Sequence, residues 1–112
     1  MAVRITQGDI WWADLGEPAG REQGYVRPAL VISNDRTIRT VWDPVLAVPL
    51  TTRFRGWETH IEIEPEGTGL PKSSWAMVEQ VRAISPTRFG SRIGGVSLDV
   101  VSEIAEWVRE ML

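Results

Sequence analysis

The sequence predicts a small, mainly β domain, a barrel or sandwich, with one amphipathic helix at the end of the chain. Three observations carry this reading. Short runs of strand-forming residues recur along the chain, each bounded by Gly, Pro, Asn or Asp. No internal repeat and no linker composition divides it. Helical spacing of apolar residues is confined to the end, where Leu98, Val101, Ile104, Ala105, Val108, Met111 and Leu112 recur on one face. At 112 residues the chain fits one domain, residues 1–112, whose core needs neither disulfides nor metals.

In chain order, Gly8-Asp9 signals a turn, and Ile10-Trp-Trp-Ala-Asp-Leu15 reads as a first strand. Gly16-Glu-Pro-Ala-Gly20 breaks it, and the segment to Val26 has no apolar periodicity, so a long mobile loop is expected. Pro28 fixes the entry to Ala29-Leu-Val-Ile-Ser33, an apolar run suited to a strand covered on both faces. Arg36 to Val41 fits a short helix or a loop. Val45-Leu-Ala-Val-Pro-Leu-Thr51 predicts a third strand, its inner proline pointing to an edge or a bulge. Thr52-Arg-Phe-Arg-Gly56 reads as a basic hairpin loop. Trp57 to Glu64 alternates, predicting a half-buried strand with Glu58, His60, Glu62 and Glu64 on the polar face. Ser74 to Ile84 suits one bent strand or two consecutive ones, Ser85-Pro86 opens a single turn, and Gly90 to Gly95 reads as another break. Ser97 is the expected N-cap of the closing helix, with Asp99 in its first turn.

Composition excludes several classes. With no cysteine there is neither a disulfide framework nor a cysteine-ligated zinc site. The N-terminal residues lack an apolar core of signal-peptide length and no stretch approaches a membrane span, so a cytoplasmic domain without a membrane partner is expected. The net charge of −3 runs against a nucleic-acid partner, but its distribution does not. From Arg27 to Arg55 five arginines face only Asp35 and Asp43, whereas acidic residues dominate from Trp57 onward. All cations except Lys72 are arginine, the side chain that grips phosphate bidentately and stacks on bases. The alternative is a plain compositional preference for Arg over Lys.

No lysine-bearing phosphate loop, paired histidines or serine elbow is present. His60 is the only histidine, and its place among glutamates on an alternating strand predicts a solvated position. Trp42, Trp57 and Phe54 lie beside arginines and offer base-stacking surfaces. The candidate centre is Gly20-Arg-Glu-Gln-Gly-Tyr-Val-Arg-Pro28, which delivers Glu22 and Arg27 at the rim of a buried strand.

The order of segments is also informative. Gly8-Asp-Ile-Trp-Trp-Ala-Asp-Leu15, the run from Gly20 to Asp35, Val48-Pro-Leu-Thr51, Gly69-Leu-Pro-Lys-Ser-Ser74 and Val78-Glu-Gln-Val-Arg82 together resemble the MazF/PemK family of toxins from type II toxin-antitoxin pairs. The resemblance implies an SH3-like small barrel of the CcdB/PemK type with a C-terminal helix. It implies a homodimer that cleaves single-stranded RNA, chiefly messenger RNA, at short motifs without a metal ion or other cofactor. A cognate MazE-like antitoxin would block the groove with an acidic disordered segment. In that pattern Arg27, Thr51 and Glu22 match the catalytic positions, with Tyr25, Arg53, Phe54, Arg55, Glu79 and Gln80 left to hold RNA. Some members carry an acidic residue before a glutamine in the fifth strand, preceded by an arginine. Here those positions are Glu79-Gln80 and Met77, which favours Arg27 with Thr51 as the catalytic pair. Two other classes stay open. A CcdB-like gyrase poison shares the fold but needs a Trp-Gly-Ile chain end, and this chain ends Arg109-Glu-Met-Leu112. A non-catalytic RNA-binding module would use the same basic and aromatic surface.

Overall fold

Strand-forming side chains assemble seven strands in this computed structural model, which describes residues 4–16 and 25–112. They are β1 (Asp9–Asp14), β2 (Val26–Val31), β3 (Val45–Thr51), β4 (His60–Ile63), β5 (Ser74–Met77), β6 (Arg82–Ile84) and β7 (Phe89–Gly95), followed by helix α1 (Leu98–Glu110). The pairings are antiparallel in the order β4-β5-β3-β2-β1-β7, with β6 beside β3. This is the mainly β fold with a C-terminal helix that the sequence predicts.

The two-residue period of the strands sorts apolar side chains between two faces. Ile10, Leu30, Val48 and Leu50 turn to one face and pack with Val101 and Ile104 of α1. Trp11, Val31 and Val45 turn to the other with Ile38, and Ala13, Ala29, Ala47 and Ile84 form a cluster of their own. Each fully buried Ile or Leu contributes about 1.5–3 kcal/mol through the apolar area it removes from water. The helix begins where Ser97 accepts a hydrogen bond from the Val100 N–H at 3.4 Å, with Asp99 in the first turn and Arg109 in the last. Both charges suit the helix dipole.

The strand path starts at β4 and ends at β7 without pairing the two, so the barrel is open as a sheet. A loop closes the gap. The β4–β5 connection reaches β7, where the Gly95 N–H donates to the Thr68 carbonyl at 3.2 Å. Backbone approaches backbone here so closely that a Cβ on Gly94 would lie 1.9 Å from the Thr68 oxygen, and one on Gly69 would lie 2.2 Å from the Ile93 oxygen. Gly69 also has φ +85°, which side chains rarely adopt. Asp9 ties β1 to the same strand: buried, it accepts from Thr6 N–H, Trp11 Nε1 and Arg92 Nε at 2.9–3.1 Å.

Several expectations are corrected, and the alternatives left open at Arg36 to Val41 and Ser74 to Ile84 are resolved. Gly90 to Gly95 is no break but most of β7, and Gly94 and Gly95 answer a close backbone approach. Thr52–Gly56 is not a hairpin loop, because β5 lies between β3 and β4. Pro49 is on an interior strand: β3 pairs β6 through Val45–Ala47 and β5 through Leu50–Thr51, so the proline falls in the gap between these partners. Its missing N–H removes no rung on that side. Arg36 to Val41 forms turns without a helix. Strand β4 starts only at His60, whose N–H closes a turn onto the Trp57 carbonyl at 3.0 Å. Ser74 to Ile84 is two strands separated by a 3-10 turn, Val78–Gln80. Residues 17–24 of the expected loop, Glu22 among them, lie outside the described residues. No described helix is long and apolar enough to cross a membrane.

Candidate active site

Arg27 sits on β2 opposite Ala13, and Thr51 is the last residue of β3, opposite Trp75 on β5. Both line one groove of about 490 Å³. One wall comes from β1, β2 and β3 through Trp12, Arg27, Leu50 and Thr51, and the other is the closing seam, through Gly69, Leu70, Arg92 and Ile93. The fold thus brings together residues from five separate stretches of sequence.

Each polar side chain is prepared for its place. Thr51 is buried, and its Oγ1 accepts the Arg53 N–H at 3.2 Å. The hydroxyl donates to nothing among the described residues, so its proton is available to an oxygen in the groove. Arg92 is anchored by its Nε on Asp9 at 3.1 Å, which leaves the outer guanidinium nitrogens for an anion. Two arginines and a hydroxyl line this one space, and these are donor types that a phosphate accepts from. Sequence reasoning did not select Arg92, which stands among the glycines of Gly90 to Gly95, nor Trp12; the Trp11-Trp12 pair in an alternating strand was the available signal, since one of the two must leave the core.

Beyond Thr51 the surface becomes aromatic. Phe54 packs on Trp75 with ring centroids 5.5 Å apart, and 70% of Phe54 remains exposed. The Arg55 guanidinium lies 5.4 Å from the Trp57 ring, which is 4.8 Å from His60. The expected RNA-holding residues Arg53, Phe54 and Arg55 follow Thr52 on the β3–β4 connection, but none of them lines the groove. Tyr25 is exposed at the start of β2 with φ +62°. Glu79 and Gln80 are in the 3-10 turn after β5, not on a strand.

His60 is the clearest correction. Its side chain is 1% exposed, and its Nε2 lies 2.9 Å from Glu79 Oε2, while Thr59 Oγ1 donates to Glu79 Oε1 at 2.9 Å. The polar face expected for this strand ends at its first residue, because the register pairs His60 with Met77 and brings the following turn over it. Glu79 is consequently a tethered carboxylate. Arg55 Nε and His60 Nδ1 are buried with no hydrogen-bond partner among the described residues. Trp42 is also displaced from expectation: it lines a different groove, with Trp11, and not the one holding Arg27.

Comparison with known proteins bears on the family and the fold. The sequence profile of the PemK-like, MazF-like toxins of type II toxin-antitoxin systems matches residues 6–112. The chain belongs to this family. Among its PemK/MazF relatives, the endoribonuclease EndoA of Bacillus subtilis (strain 168) is 32% identical over 105 residues, covering 91% of this chain and 89% of its own. MazF from Deinococcus radiodurans superposes with a TM-score of 0.83 at 23% identity, covering 98% of this chain and 97% of its own. An endoribonuclease solved with its cognate antitoxin, from Mycobacterial species, gives 0.71 at 22%, covering 96% and 93%. At these identities the two structures show the shared PemK/MazF fold.

Proposed function

We propose that this chain is the toxin of a type II pair and acts as a metal-independent endoribonuclease, cutting single-stranded messenger RNA at a short motif. The observation that carries the reading is the convergence of Arg27 and Thr51 on one groove in a chain 32% identical to an endoribonuclease. RNA supplies its own nucleophile. The 2′-oxygen attacks the adjacent phosphorus, the bond to the departing 5′-oxygen breaks, and the products carry a 2′,3′-cyclic phosphate and a 5′-hydroxyl.

The protein has then to align the strand, hold the added negative charge of the phosphorane and move two protons. Arg27 holds the charge: a fixed donor at a developing oxyanion is worth about 3 kcal/mol. Thr51 donates to a non-bridging oxygen, and Arg92 adds a second cation in the same groove. Glu22, outside the described residues, is the assigned base or the residue that orients Arg27, since arginine itself stays protonated. Tyr25, Arg53, Phe54 and Arg55 hold bases and phosphates on either side, and Glu79 with Gln80 orient the substrate. The active form is a cytoplasmic homodimer restrained by an acidic segment of its antitoxin.

The test is incubation of the purified chain with a long single-stranded RNA in excess EDTA, mapping ends by primer extension. Discrete cuts at one motif with cyclic-phosphate ends, lost by about a hundredfold or more in Arg27→Ala, are expected. RNA left intact by the wild type, or equal cutting by Arg27→Ala, would overturn the assignment.

A further inference from the structure

His60 is the only histidine of the chain, and nothing proposed for the cleavage groove uses it. Its ring is closed to substrate at both nitrogens. Nε2 faces Glu79 Oε2 at 2.9 Å, and because a carboxylate only accepts, that nitrogen carries the proton. Nδ1 is buried with no hydrogen-bond partner among the described residues. A ring so enclosed neither takes a proton from RNA nor gives one. Its geometry is that of a strut.

What it props is the β3–β4 connection. From Thr52 to Thr59 the chain forms neither strand nor helix, so contacts from outside the segment set its shape. At one end Thr51 Oγ1 accepts the Arg53 N–H at 3.2 Å, and Phe54 leans on Trp75. At the other end Glu79 takes two neighbours at once: Oε1 accepts from Thr59 Oγ1 and Oε2 from His60 Nε2, each at 2.9 Å. The Val78 N–H donates to the Thr59 carbonyl at 3.0 Å beside them. The His60 N–H donates to the Trp57 carbonyl at 3.0 Å, and its ring lies 4.8 Å from the Trp57 ring. Trp57 carries the Arg55 guanidinium at 5.4 Å, within cation–π range. The series runs from the 3-10 turn to the surface, where Phe54 and Trp57 are exposed.

We infer that Glu79 is a positioning residue: acting through His60, it fixes Trp57 and Arg55 as a subsite for one nucleotide flanking the cut. The base packs against the exposed surface of Trp57, and Arg55 supplies the cation for its phosphate. This rests on the cleavage reading given above. Neither Trp57 nor Arg55 lines the groove that holds Arg27 and Thr51, so the subsite holds RNA and takes no part in breaking the bond. Contacts made equally in the ground and transition states change the RNA concentration the protein needs, not its maximal rate.

Single-turnover cutting of RNA at increasing protein concentration separates half-saturation from maximal rate and tests this. Glu79→Ala and Trp57→Ala are each expected to raise the half-saturating concentration about tenfold or more, with the maximal rate within about threefold of the wild type. Glu79→Gln, which keeps an oxygen and adds a donor between Thr59 and His60, should restore it. With both alanines together the loss should equal that of Trp57→Ala alone, because one residue acts through the other. Unchanged half-saturation in either single variant, effects that multiply in the double variant, or a fall in maximal rate instead would overturn the inference. Trp57 is exposed, so its arm of the test does not depend on whether Glu79→Ala folds. Anisotropy of a labelled pool of random 2′-O-methyl RNA twelve-mers, which lack the attacking hydroxyl, keeps the two readings apart. The same pattern of variants in a chain that cuts no RNA would overturn the cleavage reading alone. Cutting by the wild type, with anisotropy that Glu79→Ala leaves unchanged, would overturn the Glu79 inference alone.

Discussion

At the closing seam, backbone meets backbone: Gly94 lies against the Thr68 carbonyl and Gly69 against Ile93, with no room for a Cβ on either. At Arg27 and Thr51 the same groove is lined by side chains. The two regions are walls of the same cleft, yet they constrain sequence differently. The seam specifies what must be absent, because a rigid approach of two main chains cannot yield. The opposite wall, on the proposed function, specifies what must be present, a guanidinium and a hydroxyl.

The largest effect that separates the two walls is expected from Gly94→Ala. Two main chains must part for the methyl group, costing about 3 kcal/mol or more, and urea unfolding should show the loss. A Gly94→Ala midpoint within error of the wild type would show that the seam is pliable. On the facing wall, Thr51→Val keeps the shape but removes the hydroxyl, and RNA cutting should drop about a hundredfold while the unfolding midpoint moves little. A large stability loss with cutting retained would reverse the roles given to the two walls. The smallest effect tests the tethered carboxylate between these extremes. Glu79→Ala leaves His60 Nε2 and Thr59 Oγ1 without their acceptor, a cost of about 2 kcal/mol. Thermal melting measures that, and an unchanged melting temperature would show that water replaces the carboxylate.

His60 shows why part of the site could not be read in sequence. Alternation placed it correctly relative to Glu62 but could not say what would cover it, and its partner Glu79 lies 19 residues away in another element. The same limit applies to Arg92, whose anchor on Asp9 spans 83 residues. It applies to Gly94, which signals a break locally and a close approach only once Thr68 is known to lie against it. Arg27 and Thr51 were singled out for a different reason: Arg27 opens a buried apolar run, and both match positions of the family pattern that the sequence resembles.

By itself the sequence determined what local physics governs. The two-residue period marked the strands, the spacing from Leu98 onward and the Ser97 cap marked the helix, and the absence of cysteine removed whole classes of chemistry. The order of its segments also carried the family, which the match over residues 6–112 bears out. Tertiary structure alone decided which strands are neighbours, that a loop closes the barrel, that His60 is buried, and that Trp11 and Trp12 line different grooves. These depend on contacts between distant residues, whose partners are set by the packing of the whole sheet and not by any stretch of chain.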